Sequence, residues 1–168
     1  MTLIVSSRNT PLPFIPRPRF RKRLERALLL GKGIIESGHP ERLRDEAIKK
    51  RRISAFLLQN RPGPGQQFRL KSHKLWEEAH LLDFVYVIYD AGFLASISDT
   101  DSPGALRSRA NECMVTAGHI SAVEIPGKTD EAWSDSAIKL FSTASSLIAQ
   151  AEILNEFARI REGNLHKE

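Results

Sequence analysis

The segment over residues 130–162 most constrains the fold, because its small and large apolar residues recur with a fixed period. Alanine returns every seven residues, and a leucine follows three positions after each of the first three alanines. With Trp133 in register ahead of them, the members are Trp133, Ala137, Leu140, Ala144, Leu147, Ala151, Leu154 and Ala158. Small residues at one core position let a second helix approach closely, and leucines fill the layers between. The pattern predicts a long helix with this packing seam.

The partner of this seam is a second helix whose location the pattern leaves open. Phe141 and Ile148 widen the apolar stripe beyond a narrow two-stranded contact, which favours a bundle over a free coiled coil. We favour packing within one chain, with a seam between two copies as the alternative, and we expect the protein to form a homo-oligomer. The heptad count places Ser142 and Ser145 off the seam, where large substitutions should be nearly silent.

Two basic helices are predicted upstream, over residues 19–60. In the first, apolar residues recur at helical spacing, and Gly31 and Gly33 predict its end. A Ser-Gly-His-Pro turn separates it from the second, whose acidic residues lie in the first turn, where the helix dipole favours them. The Asn-Arg-Pro-Gly-Pro-Gly run that follows cannot continue a helix, so we predict a loop over 60–66.

Beyond the loop, residues 74–97 are apolar on nearly every side. Such a segment is typical of a helix buried all round or, over 84–89, of a buried strand. We favour the helix, since the chain offers no second strand-like run to pair with it. A further helix is expected to begin with Ser102 as its N-cap and to end at Gly118. Its buried face should comprise Leu106, Ala110, Cys113, Met114 and Ala117.

These elements predict an all-α fold, a helical bundle with a proline-containing basic N-terminal arm. Residues 1–18 contain four prolines, each of which fixes its own backbone and extends the residue before it, so we expect an extended arm there. Residues 19–168 are expected to form a single helical domain with a core over 68–163. No apolar run reaches the length that a membrane span requires, and we expect none.

Charge divides the chain into a basic and an acidic half. Residues 1–75 contain 18 Lys and Arg against 5 Asp and Glu, a net charge of +13, whereas residues 76–168 contain 7 against 15, a net charge of −8. Such an asymmetry predicts a basic surface that meets a polyanion. The competing interpretations are that the cations lie on solvated helix faces, or that the basic half docks on the acidic half.

The predicted contact surface consists of sixteen cations, most of them arginine, whose planar guanidinium suits phosphate. They are Arg17, Arg19, Arg21, Lys22, Arg23, Arg26, Arg42, Arg44, Lys49, Lys50, Arg51, Arg52, Arg61, Arg69, Lys71 and Lys74. Without a helix-turn-helix spacing, a zinc finger or an RNP-type aromatic run, they indicate a non-enzymatic nucleic-acid-binding protein, accessory, regulatory or nucleocapsid-like, with RNA slightly preferred. An interaction module for an acidic protein partner is the alternative.

Metal binding and catalysis find little support in the sequence. His73, Glu77 and His80 have helical spacing and could face one way, but no second set of ligands accompanies them, so we expect no metal and no cofactor. We find no catalytic signature and expect no enzyme. Because Cys113 is the single cysteine, no intrachain disulfide can form, which is typical of a reducing compartment. We therefore expect an intracellular protein, cytoplasmic or nuclear, with organellar import as the alternative.

Overall fold

A computed structural model of the protein describes residues 4–6, 10–12, 17–59, 65–124 and 134–165. This part of the chain is an all-α helical bundle, as the sequence predicts. Its helices are α1 (Pro18–Glu36), α2 (Glu41–Gln59), α3 (Gly65–Tyr89), α4 (Ala91–Ala95), α5 (Pro103–Glu124) and α6 (Asp135–Leu165). Buried apolar residues from all six form one cluster, in which Leu24, Leu43, Phe84 and Ile153 are fully enclosed.

The predicted basic arm over 1–18 lies largely outside the described residues. Two short strands, β1 (Ile4–Ser6) and β2 (Thr10–Leu12), pair antiparallel there, with Ile4 opposite Leu12 and Ser6 opposite Thr10. Of the predicted loop over 60–66, residues 60–64 are likewise outside the described part, and residues 65 and 66 already belong to α3, which begins at Gly65.

The glycines that were expected to end the first helix do not end it. α1 continues through Gly31 and Gly33 to Glu36, and the chain turns at Gly38, whose φ of +73° is in the left-handed region that glycine adopts without strain. Gly31 is buried, and a Cβ atom there would lie 3.0 Å from a methyl group of Leu43. Gly31 thus permits close approach of α1 and α2, which explains a glycine inside a helix.

The apolar segment after the loop is helical, and the strand alternative over 84–89 is wrong. α3 continues to Tyr89, and Asp90 then begins α4 by accepting hydrogen bonds from the backbone N–H groups of Gly92 and Phe93, at 3.0 and 3.2 Å. Residues 84 and 85 are fully buried in the bundle. A buried helix satisfies its own backbone hydrogen bonds and therefore needs no partner strand.

α5 begins as predicted but ends later and buries fewer residues. The hydroxyl of Ser102 accepts a hydrogen bond from the Ala105 backbone at 3.1 Å, which makes Ser102 the expected N-cap. The helix then passes Gly118 and ends at Glu124, because packing against α6 outweighs the weak helix propensity of one glycine. Leu106, Ala110 and Ala117 are buried as expected, Cys113 is half-buried, and Met114 is exposed.

The heptad seam of α6 packs within the chain, mainly on α5 and also on α3 and α2. Its four alanines, Ala137, Ala144, Ala151 and Ala158, are each at most 3% exposed. Leu154 is buried, Leu140 and Leu147 are half-buried, and Trp133 lies outside the described residues. The seam therefore packs on helices of the same chain, as the intrachain interpretation expects. Homo-oligomerisation stays a prediction.

Two serines that the heptad count places on the helix surface are buried instead. Ser142 is 1% exposed and Ser145 is 8% exposed. The Ser142 hydroxyl donates to Asp83 Oδ1 at 3.3 Å, and the Ser145 hydroxyl contacts His80 Nδ1, so both face α3. The prediction that large substitutions there are silent is wrong, because neighbouring helices cover the face of α6 that carries these serines as well as its alanine seam.

Candidate functional site

The two charge halves of the chain meet directly. Five cations of the basic half form ion pairs with carboxylates of the acidic half, and each pair joins two different helices. They are Arg17–Glu156, Arg23–Glu152, Lys50–Glu78, Arg51–Asp83 and Arg52–Asp135. At these five pairs the basic half docks on the acidic half, as one of the competing interpretations of the charge pattern states.

The pair between Arg51 and Asp83 is buried in the bundle. Arg51 Nη2 lies 2.6 Å from Asp83 Oδ2, and the side chains are 1% and 0% exposed. Burial raises the pKa of the Asp83 carboxyl above its ordinary value, although the Arg51 guanidinium opposes this by stabilising the carboxylate. Arg51 also stacks over the ring of Trp76, 5.1 Å from its centroid. The prediction that Arg51 is a surface phosphate contact is therefore wrong.

Glu156 of α6 holds the beginning of α1. Its side chain is fully buried and accepts from the Arg17 backbone N–H at 2.7 Å, from Arg17 Nε at 3.0 Å and from Arg159 Nη2 at 2.9 Å. Burial opposes ionisation of Glu156, but the hydrogen bonds from Arg159 and Arg17 outweigh it and lower the pKa of the carboxyl. A carboxylate at a helix N-terminus also satisfies a backbone donor there.

The remaining predicted contact residues divide into paired and unpaired cations. Arg21 pairs with Glu25, Lys49 pairs with Glu46, and Arg44 stacks on Tyr86. Arg61 lies outside the described residues. Those that form no ion pair with any described residue are Arg19, Lys22, Arg26, Arg42, Arg69, Lys71 and Lys74. Arg19, Lys22 and Arg26 lie on one face of α1, and we call these three the α1 stripe.

The α1 stripe borders a pocket of about 820 Å³ between α1, α3, α5 and α6. Arg23 and Arg51 add two further cations to its wall, and Glu77 is the one carboxylate among the described residues that line it. Its apolar wall is formed by Trp76, Leu81, Phe141, Ala144 and Ile148. The sequence did not reveal this pocket, because its residues come from five helices, with α2 contributing Arg51, and share no spacing along the chain.

The three candidate metal ligands do not converge. His73 and Glu77 are exposed and face each other, with 3.2 Å between His73 Nε2 and Glu77 Oε1, whereas His80 contacts Ser145 across the bundle. Within the described residues, no group of three or more His, Cys, Asp or Glu side chains is placed to hold a metal ion. Burial, followed by the charges of Arg23 and Arg51, lowers the pKa of His80 to about 4.

His80 should make the protein less stable in mild acid. The unfolded chain takes up a proton at His80 near its ordinary pKa of 6.5, whereas the folded protein does so only near 4, so the free energy of unfolding falls as the pH drops between these values. We expect His80→Gln to show a smaller loss than the parent over this range. Urea denaturation from pH 7 to 4 measures it; equal losses in both proteins would show that His80 does not titrate in this way.

Comparison of the chain with protein-family models, with curated proteins and with solved structures found no match. Among the described helices, none combines the length and the apolar composition that crossing a membrane requires.

Proposed function

We propose that the protein binds nucleic acid without catalysis, as an accessory, regulatory or nucleocapsid-like protein inside the cell. The observation that supports this is the α1 stripe, in which three neighbouring cations form no ion pair with a described residue. Five other cations of the basic half are paired across the bundle, so the contact surface we propose is narrower than the sixteen residues the sequence suggests.

The spacing of the stripe suits a flexible strand. Arg19 and Arg26 are seven residues apart, which is about 10 Å along a helix that rises 1.5 Å per residue. A single strand can adjust its phosphates to such a spacing, whereas a duplex presents them at fixed positions. We therefore keep RNA as the slightly preferred polymer, bound through its backbone.

An acidic protein partner is the second candidate. It is favoured by the fact that Arg17 and Arg23, which belong to the same helix as the stripe, already pair with carboxylates of a neighbouring helix. Salt dependence separates the two candidates, because counterion release makes phosphate binding fall steeply with salt, whereas a largely apolar protein interface responds weakly.

We expect Arg19→Gln/Lys22→Gln/Arg26→Gln to weaken binding of a mixed-sequence single-stranded RNA. Loss of three phosphate contacts should reduce the slope of log affinity against log salt by roughly 2. Fluorescence anisotropy at several salt concentrations measures both quantities. Thermal melting should be nearly unchanged, because exposed cations contribute little to stability.

The matched control removes the same charge elsewhere, as Lys32→Gln/Arg107→Gln/Lys139→Gln. Lys32 and Arg107 form exposed ion pairs with Glu36 and Glu162, and Lys139 is exposed on α6. If both triple variants lose affinity equally, net charge and not the stripe drives binding. If neither variant changes the affinity or the salt slope, nucleic acid is not bound at the α1 stripe.

A further inference from the structure

We infer that the pocket between α1, α3, α5 and α6 binds a small amphipathic anion, an aromatic or other apolar body that carries a carboxylate, phosphate or sulfonate group. This goes beyond the proposed function, since nucleic acid would contact the stripe from outside. The pocket volume of about 820 Å³ falls within the range of known small-molecule sites, about 300–1,000 Å³.

The charge around the pocket selects an anion. The α1 stripe contributes three cations whose charges no described carboxylate neutralises, and these residues line the wall of the pocket. Glu77, the carboxylate of the lining, faces His73 at 3.2 Å. Burial is the main cause of the low pKa of His80, and the charges of Arg23 and Arg51 lower that pKa further, in keeping with a positive environment.

The opposite wall of the pocket selects an apolar body. Trp76 and Phe141 pack edge to face there with their ring centroids 5.1 Å apart, and aliphatic side chains of α3 and α6 continue the surface. Aromatic side chains and a row of cations in the lining of one cleft suit a molecule with one apolar and one charged end.

Arg51 supplies an independent observation. It borders the pocket, it is 1% exposed, and its Nε and Nη1 donors have no hydrogen-bond partner among the described residues. Unsatisfied buried donors are costly, and guanidinium donors match the oxygens of carboxylate and phosphate. A buried arginine that keeps two unsatisfied donors at the edge of a cleft adds to the positive charge that an anionic group would meet there.

Two dyes that differ only in charge test the inference. Anilinonaphthalene sulfonate carries the apolar body and the anion, whereas N-phenylnaphthylamine has the same rings without the sulfonate. We expect the sulfonate to bind with one-to-one stoichiometry and at least about tenfold more tightly than the neutral dye, the effect of one charge-assisted hydrogen bond. Arg19→Gln/Lys22→Gln/Arg26→Gln should remove most of that difference.

Ser121→Phe distinguishes the pocket from other apolar surface. Ser121 is half-buried on α5 and lines the cleft, so a phenyl ring should fill it and abolish dye binding. Ile148→Phe is a second blocking variant if the first does not fold. Because neither removes charge, both should bind RNA like the parent, so this inference and the proposed function can fail separately.

Each of three results would overturn the inference. Equal affinity for the two dyes would show that no cation recognises the anionic group. Dye binding that survives both blocking variants would place the dye on exposed apolar residues such as Leu29, Phe56 and Leu70, which are 76%, 60% and 65% exposed. If neither dye binds, the inference that the pocket takes an amphipathic anion is likewise contradicted.

Discussion

Replacing Arg51 with methionine is expected to lower the free energy of unfolding by about 3 to 5 kcal/mol, the cost of leaving one partner of a buried ion pair without the other. The Asp83 carboxylate is fully buried, and without Arg51 its hydrogen-bond donors are the hydroxyl groups of Ser142, at 3.3 Å, and Ser145. Urea denaturation of the parent and of Arg51→Met measures the loss. Lys49→Met, in the same basic cluster but 67% exposed, should change stability by less than about 0.5 kcal/mol.

The deficit of Arg51→Met should depend on pH with a defined sign. Without the guanidinium, only the hydrogen bonds from Ser142 and Ser145 offset the burial that raises the pKa of Asp83, so the folded carboxyl holds its proton further above the ordinary value of 3.8 than in the parent. Stability of the variant then falls as pH rises from that value through the raised folded pKa, so the deficit is smaller near pH 4 than near pH 8.

A second substitution tests the same cause. Arg51→Met/Asp83→Asn buries no charge and should recover much of the lost stability. A deficit that neither the double variant nor mild acid reduces would mean that the packing of Arg51 on Trp76, and not its charge, stabilises this region.

Ala151→Leu is expected to cost about 1 to 3 kcal/mol, because Ala151 is 1% exposed in the core cluster and a larger side chain would overpack it. Melting temperature should fall by about 2 to 4 °C per kcal/mol for a chain of this size. Since the seam packs inside the chain, the mass from sedimentation should stay constant. A change of oligomer size before helicity is lost would instead place the seam between chains.

Ala144→Leu is the matched comparison, one heptad earlier on α6. Ala144 is also buried, at 3% exposed, but it borders the pocket, so a leucine there has space to extend into. We expect a smaller fall in melting temperature than for Ala151→Leu. Equal losses would show that the pocket closes around this position.

The sequence predicts the helical class and the seam because both depend on local periodicity. The alanines of α6 recur regardless of what covers them, and the Ser102 hydroxyl caps α5 by accepting a hydrogen bond from the backbone of Ala105, three residues on. The ends of α1 and α5 were misjudged because tertiary packing decides whether a glycine ends a helix. At Gly31, the contact that explains a glycine inside the helix is made with Leu43 on α2. The residue pattern of α1 alone contains no information about that contact.

The candidate site was less predictable than the fold. A count of charges does not distinguish Arg19 from Arg51. In the structure, Arg19 lies at the rim of the pocket, whereas Arg51 is paired inside the bundle. The distinction depends on Asp83, which is thirty-two residues further along the chain than Arg51. The pocket itself requires the relative placement of five helices, and residue spacings in one sequence do not provide it.

The contact between Glu156 and Arg17 joins positions 139 residues apart, and this separation affects folding during synthesis. At about 5–20 residues per second, a ribosome adds Glu156 on the order of ten seconds after Arg17. During that interval α2 and α3 can already pair through Arg51 and Asp83, while the first turn of α1 still lacks its acceptor. α6 also supplies one wall of the pocket. In the nascent chain, the N-terminus of α1 therefore gains its acceptor, Glu156, in the same late step in which the pocket forms.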